Sequence, residues 1–253
     1  MKSLFVIVTL LLINCSFIAA QSNPPQVSTQ PAKAKTNEKS PAQRAEAILK
    51  LAREAKGGEE KLKQVRDLIY SGDYFAYNPS GTDKQPLTMF LYQAQKVRTD
   101  VGTISSGFDG QTPWFNDTVQ SGQAAYETRR RAIREWFISL LIVPNEIKMS
   151  ALALPDSEID GKPVVVVAVE IGECKFKISF DKQTYLARQL SYGMMNGTQE
   201  EQIDELQEDY KTVGGIKFAH RQIGLELGRI AGEVKVEEYK INSKIDPVKF
   251  TRQ

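Results

Sequence analysis

Apolar residues follow two different spacings along the chain, and the switches between them mark its elements. From Ser40 the period is helical. Ala45, Ile48, Leu49, Ala52 and Ala55 fall on one face, which predicts an amphipathic helix. Ser40 suits its N-cap and Pro41 its first turn, and Gly57-Gly58 stops it. A second short turn follows, "EEKLKQV", with Leu62 and Val65 on its buried side. The period then drops to two. "DLIYSGDYFAY", "PLTMFLYQ" and "QKVRTDVG" are rich in aromatic and branched residues and read as strands. "SSGFDGQTPWF" centres on Asp109-Gly110, a strong hairpin signal. Pro113 cannot donate to a ladder, which places that hairpin at an edge or rim.

Helical spacing returns between Gly122 and Val143, ended by Pro144. Ala125, Tyr126, Arg129, Ala132, Ile133, Trp136, Phe137, Leu140 and Leu141 form a wide stripe. Arg130, Arg131, Arg134 and Glu135 take the other face, which the pattern assigns to solvent. Strands then run to the end. "KPVVVVAVEI", after the turn at Asp160-Gly161, is apolar on both faces and predicts a central strand covered on both sides. In "ECKFKISF", Cys174, Phe176, Ile178 and Phe180 share one face. "TYLARQLSYG", "IDELQEDYKTV", "GIKFAHRQIGL" and "GRIAGEVKVEEYKI" follow, joined by short turns.

The sum is a mainly β, α+β chain: about ten strands in consecutive hairpins, one N-terminal helix and one inserted helix. Consecutive hairpins give an antiparallel meander. Many strands with one apolar face curl into an incomplete barrel, whose concave side is the place for the inserted helix to bury its stripe.

The residues before Ser40 have another character. Lys2, an apolar run from Leu4 to Ile13 and "SFIAAQS" have the layout of a secretory signal over 1–20, cut after Ala20. A competing reading takes "LINC" as a lipidation site at Cys15, against the bulky Asn14 before it. Residues 21–40 lack aromatics and read as a disordered linker, leaving 41–253 as the folded domain. Export with Cys174 as the one cysteine beyond the signal means no internal disulfide. The 33 basic and 31 acidic residues nearly cancel, which makes no case for a nucleic-acid partner.

Catalytic chemistry has little to work with. Beyond the signal there is one histidine, His220, and one cysteine, and no nucleophile or metal motif is found. His220 shares a strand face with Ile216 and Phe218, so it points inward as a hydrogen-bonded wall residue or as a polar contact to a ligand head group. No cofactor or metal is expected, and the expectation is a non-enzyme. The acidic run "QEEQIDELQEDY" lacks the spacing of a calcium loop and reads as a solvated strand face.

With these elements in order, "LAREAKGGEEKLKQVRDLIYSG", "FDGQTPWF", "DKQTYLARQ", "DYKTVGGIKFAHR" and "VEEYKIN" resemble the LolA-like proteins, also called outer-membrane lipoprotein-sorting proteins. The resemblance spans roughly Pro41 to Phe250. It implies a periplasmic, non-enzymatic carrier with an apolar cavity under a helical lid. Its cargo would be lipoprotein acyl chains or lipids, with an inner- or outer-membrane protein as a further partner and a monomer as the working form. The wall would be Leu87, Met89, Leu91, Phe176, Ile178, Phe180, Ile216 and Phe218. The lid would be Tyr126, Ile133, Trp136, Phe137 and Leu140. The family's lid-locking arginine corresponds to Arg98 or Arg188, which with His220 supply the polar contacts. The alternative on the same fold is a protein-interaction module, an envelope-stress sensor or assembly factor, with a filled cavity.

Overall fold

The computed structural model of the chain describes residues 39–196 and 199–252. The signal and nearly all of the linker read from the sequence lie outside the described residues. The first helix, α1 (Pro41–Lys56), is held as its sequence dictates. The Ser40 hydroxyl accepts from the Gln43 N–H while the Gln43 side chain accepts from the Ser40 N–H. This reciprocal cap satisfies donors that the helix itself cannot. Gly57 ends it, and the short helix α2 (Glu59–Lys63) follows.

Among the described residues fourteen strands form one antiparallel sheet. They are β1 (Asp67–Asn78), β2 (Gly81–Tyr92), β3 (Lys96–Val101), β4 (Ile104–Phe108), β5 (Pro113–Phe115) and β6 (Thr118–Val119). After the helix α3 (Gly122–Leu140) come β7 (Met149–Ala153), β8 (Ser157–Ile159), β9 (Lys162–Ile171) and β10 (Cys174–Asp181). The last four are β11 (Ala187–Asn196), β12 (Gln199–Val213), β13 (Ile216–Glu226) and β14 (Arg229–Ile241). The spatial order is β6-β5-β4-β3-β2-β1-β14-β13-β12-β11-β10-β9-β7, with β8 also on β9. The sheet is curled and not closed, as the hairpin pattern predicts. The strand count exceeds ten because β5, β6 and β8 are only two or three residues long, too short to show a period. The strand "KPVVVVAVEI" is buried through Val164–Val167 but lies beside the edge rather than at the centre. Val165, Val167 and Val169 pack in the core with α1 and the end of α3, while β8 extends the sheet edge by pairing with β9 at Lys162–Val164. Among the described residues no helix is long and apolar enough to cross a membrane.

The inserted helix lies inside the curl and divides the core. Phe137, Ile138 and Leu141 pack with α1, β9, β10 and β11, where the Phe137 and Phe176 ring centroids are 5.6 Å apart. Ala132, Trp136 and Leu140 pack with α2, β1, β2, β3, β13 and β14. The helix stops three residues earlier than its pattern suggests, because Leu141 takes a left-handed conformation ahead of Pro144. The solvated face expected for Arg130, Arg131, Arg134 and Glu135 is not found. Arg130, Arg134 and Glu135 are buried and Arg131 is half-buried. A sheet that curls around a helix covers it on more than one side, so the charged flank is enclosed with the apolar one.

Candidate functional site

The interior of the curl carries the chemistry, and it is built by strand alternation. On β12, Ile203, Glu205 and Gln207 point the same way. Ile203 and Gln207 are buried, so Glu205 faces inward between Leu190 of β11 and Gly224 of β13. On β13 the inward row is Ile216, Phe218, His220 and Gln222. On β1 it includes Tyr70, whose hydroxyl donates to the Met89 sulfur of β2 at 3.0 Å.

Helix α3 brings the charged partners. The Arg134 guanidinium stacks on the Tyr192 ring of β11, 3.7 Å from its centroid. Arg131 donates to the Ser106 hydroxyl at 3.0 Å, and Arg130 to Glu127 at 3.0 Å. Glu135 is only 7% exposed. Its nearest cation is Arg134, at 3.9 Å, which is an ion-pair contact without a hydrogen bond. Glu205 accepts from the Gln207 amide at 2.6 Å. Burial, and then the neighbouring Glu135 carboxylate, push the Glu205 carboxyl up to about 8. This corrects the reading of the whole acidic run as a solvated face. The corrective signal was present in the sequence, since period two from Ile203 puts Glu205 inside.

At the far end of the interior, Lys56, the last residue of α1, lies 5.6 Å from the centroids of Tyr210 and Phe218. Burial without a carboxylate partner lowers its amine to about 7. These two groups oppose one another in their effect on pH. Between about 4.5 and 8 the folded chain holds a proton on Glu205 that the unfolded chain releases, so this group's stabilisation is lost as pH rises through that window. Between about 7 and 10.5 the unfolded chain holds a proton on Lys56 that the folded one lacks, so stability rises with pH there. Urea unfolding of Glu205→Gln and Lys56→Met against the parent isolates each contribution. The parent should lose stability relative to Glu205→Gln on going from pH 5 to 8. It should gain relative to Lys56→Met from pH 7 to 9, by at most about 1.4 kcal/mol per pH unit. Parallel pH profiles would refute the burial of these charges.

The wall and lid residues named from the sequence are brought together as two packed sets. Leu87, Met89, Leu91, Ile216 and Phe218 meet Trp136 and Leu140 in one core, and Phe176, Ile178 and Phe180 meet Phe137 in the other. Ile133 packs at the edge of the second set, and the Tyr126 hydroxyl donates to the Glu173 carbonyl at 3.4 Å. His220 is buried, with Nδ1 2.8 Å from the Val236 carbonyl and its ring edge-on to Tyr239. Arg98 is buried on the face of β3 opposite Val97, bonded to Asp100 at 2.8 Å and to the Lys249 carbonyl at 3.1 Å. Arg188 lies 3.9 Å from Asp160. Neither arginine meets α3 through a hydrogen bond or ion pair. Glu135, Glu205, Arg134, Tyr70 and Tyr192 form the polar centre that sequence reasoning missed.

The helix does not fill the curl completely. Hollows flank it at the Tyr126–Arg130 end (about 580 Å³), beside Arg129 and Ile133 (about 270 Å³) and at Glu135 (about 250 Å³). Several solved structures are similar in fold to this chain. One is an outer membrane lipoprotein-sorting protein domain from Vibrio parahaemolyticus, with a TM-score of 0.53 at 12% identity over 83% of this chain and 97% of that one. Another is a LolA superfamily protein from Nitrosomonas europaea, with a TM-score of 0.53 at 11% identity over 82% and 97%. The chain has the LolA-like fold. A DUF1329 family protein from Desulfovibrio piger matches with a TM-score of 0.54 at 10% identity, over 84% of this chain and 98% of that one. No family model and no curated protein sequence matches the chain. At such identities the LolA-like likeness is one of fold, and the chemistry rests on this chain's own residues.

Proposed function

We propose that this LolA-like chain is an exported, periplasmic, non-enzymatic binding protein that carries lipoprotein acyl chains or lipids, and that α3 is the element an acyl chain displaces. The supporting observation is the poor polar satisfaction of α3. Arg130 Nε, Arg131 Nε, Arg134 Nε and Trp136 Nε1 are all buried without a hydrogen-bond partner. Each such group costs about 1–3 kcal/mol relative to water. Moving α3 outward returns these groups to solvent, whereas an acyl chain brings no polar atom in. Burying 14 carbons is worth roughly 11 kcal/mol gross, at about 0.8 kcal/mol per CH₂. That is enough to compete with the apolar contacts of a single helix, already interrupted by the hollows around it. The signal-like segment at 1–20 supports export.

Cys174 supplies the test. Its thiol is 1% exposed and donates to the Arg130 carbonyl of α3 at 3.5 Å. Burial holds its pKa above the usual thiol value, so it stays unreactive while α3 is seated. In a Cys15→Ser chain, maleimide labelling of Cys174 should accelerate with added myristate and saturate. A labelling rate that myristate leaves unchanged would remove α3 as the displaced element.

The packing of α3 into both cores favours a second reading, a protein-interaction module. The rim formed by the β1–β2 and β13–β14 turns exposes Leu227 (81%), Ile230 (50%) and Tyr77 (38%). Stable protein recovered without lipid, together with unchanged Cys174 labelling, would move the function to that rim.

A further inference from the structure

The hollow at Glu135 differs in character from the apolar cores beside it. Its charged lining consists of Glu135, Glu205, Glu226 and Glu233, with no lysine or arginine. Glu233 already accepts from Arg221 at 2.7 Å and from Tyr77 at 2.7 Å. Glu135 has no such partner. It is more than nine-tenths buried, accepts no hydrogen bond and faces the hollow. The cation nearest to it, Arg134, comes no closer than 3.9 Å, with its guanidinium 3.7 Å from the Tyr192 ring centroid. A buried carboxylate left in this state is costly unless a charged donor reaches it.

The rest of the lining says which donor fits. Tyr70, Tyr74 and Tyr192 present ring surface, and Met89 and Met194 add polarisable thioethers. Aromatic faces attract a compact organic cation. A metal ion suits the site less well, because among the described residues no three acidic, histidine or cysteine side chains converge closely enough to hold one. The hollow, about 250 Å³ and open to solvent on one side, has room for a small organic head group.

We propose that the Glu135 hollow is a binding site for an ammonium group, with Glu135 and Glu205 as its anionic contacts and the surrounding tyrosines as its walls. The site goes beyond the carrier reading and does not require α3 to move. Glu205 carries a proton near neutral pH, and the arriving cation replaces it, so binding releases a proton to solvent. The groups facing the pair are Arg131 and Arg134 from α3, Tyr70 from β1, Tyr192 from β11, Gln207 from β12, and Glu233 and Tyr239 from β14. Of these, Tyr70, Tyr192 and Tyr239 have pKa values raised by burial, so they stay neutral through the pH range of the test.

Calorimetric titration of the whole chain with n-octylammonium, ethylammonium and octanoate at pH 7 tests the proposal. The expected result is saturable binding of an amine with release of a proton, read from the difference between two buffers of unlike ionisation enthalpy. Glu135→Gln should weaken that binding about tenfold or more with the thermal melt preserved. Glu205→Gln should abolish the proton release, an effect that a merely structural role would not produce. Equal affinity for both amines would assign the site to a free small amine, and binding of octylammonium alone to an amine carried on an apolar chain. Octanoate binding as tightly as octylammonium would overturn the proposal, as would the absence of amine binding. Failure of the carrier reading is seen separately, in Cys174 labelling by the parent chain with myristate.

Discussion

A Trp136→Ser chain should lose about 3–5 kcal/mol in urea unfolding, and its Cys174 should react with maleimide faster than the parent's even without ligand. Trp136 is among the largest fully enclosed side chains and joins α3 to the core of β1, β2, β3, β13 and β14. Its ring is the main apolar bond between the helix and that half of the sheet. Its Nε1 has no acceptor, so all of its contribution comes from the ring. Phenylalanine at this position discards the orphaned N–H while keeping most of the contact, and Trp136→Phe should cost no more than about 1.5 kcal/mol. If both variants lost the same stability, the indole N–H would have a partner. The account of α3 as a poorly satisfied element would then fail.

Gly72→Ala should be nearly as damaging, at about 2–3 kcal/mol, although the change adds one methyl group. At the junction of β1 and β14 the register shifts between Ser71 and Gly72. A Cβ at Gly72 would overlap the Lys235 carbonyl oxygen and come within 3.0 Å of the Glu237 nitrogen. Both are backbone atoms in the sheet ladder and cannot turn aside. Gly193→Ala gives the contrast. There the added Cβ meets only the Glu200 side chain, which is exposed and can rotate away, so the variant should stay within about 0.5 kcal/mol of the parent. Equal urea midpoints for the two variants would show that the β1–β14 bulge does not demand glycine.

The fold was legible where local signals agree with tertiary packing. Ser40, Pro41 and Gly57 bound α1 because caps act within one turn of backbone. Asp109-Gly110 marks the β4–β5 turn for the same local reason. The environment of α3 was not legible. "TRRRAIREW" has the alternation of a surface helix, and only the curl of a sheet contributed by distant residues encloses its arginines. Short strands such as β6 were missed because two residues define no period. His220 was read correctly as inward-facing from Ile216 and Phe218. Glu205 was equally accessible by counting from Ile203, but was obscured by five other acidic residues close by in the run. In such a run strand parity is a better guide to exposure than charge composition.

The pairing of β1 with β14 also governs how the chain reaches this structure. Leu68 lies opposite Ile241, so the strand that emerges among the first must wait for the strand synthesised last. Until then the β1–β2 hairpin has a bare inner edge, and the row ending in β10 through β13 has another. Closing so long a loop before its contacts form slows folding, and exposed strand edges in the interim invite association with other chains. A chain truncated before Arg229 would keep nearly all of its core residues and still lack the one strand that joins its two halves. Refolding of the full chain should therefore be slow and sensitive to protein concentration, with β14 docking as the step that ends the vulnerable interval.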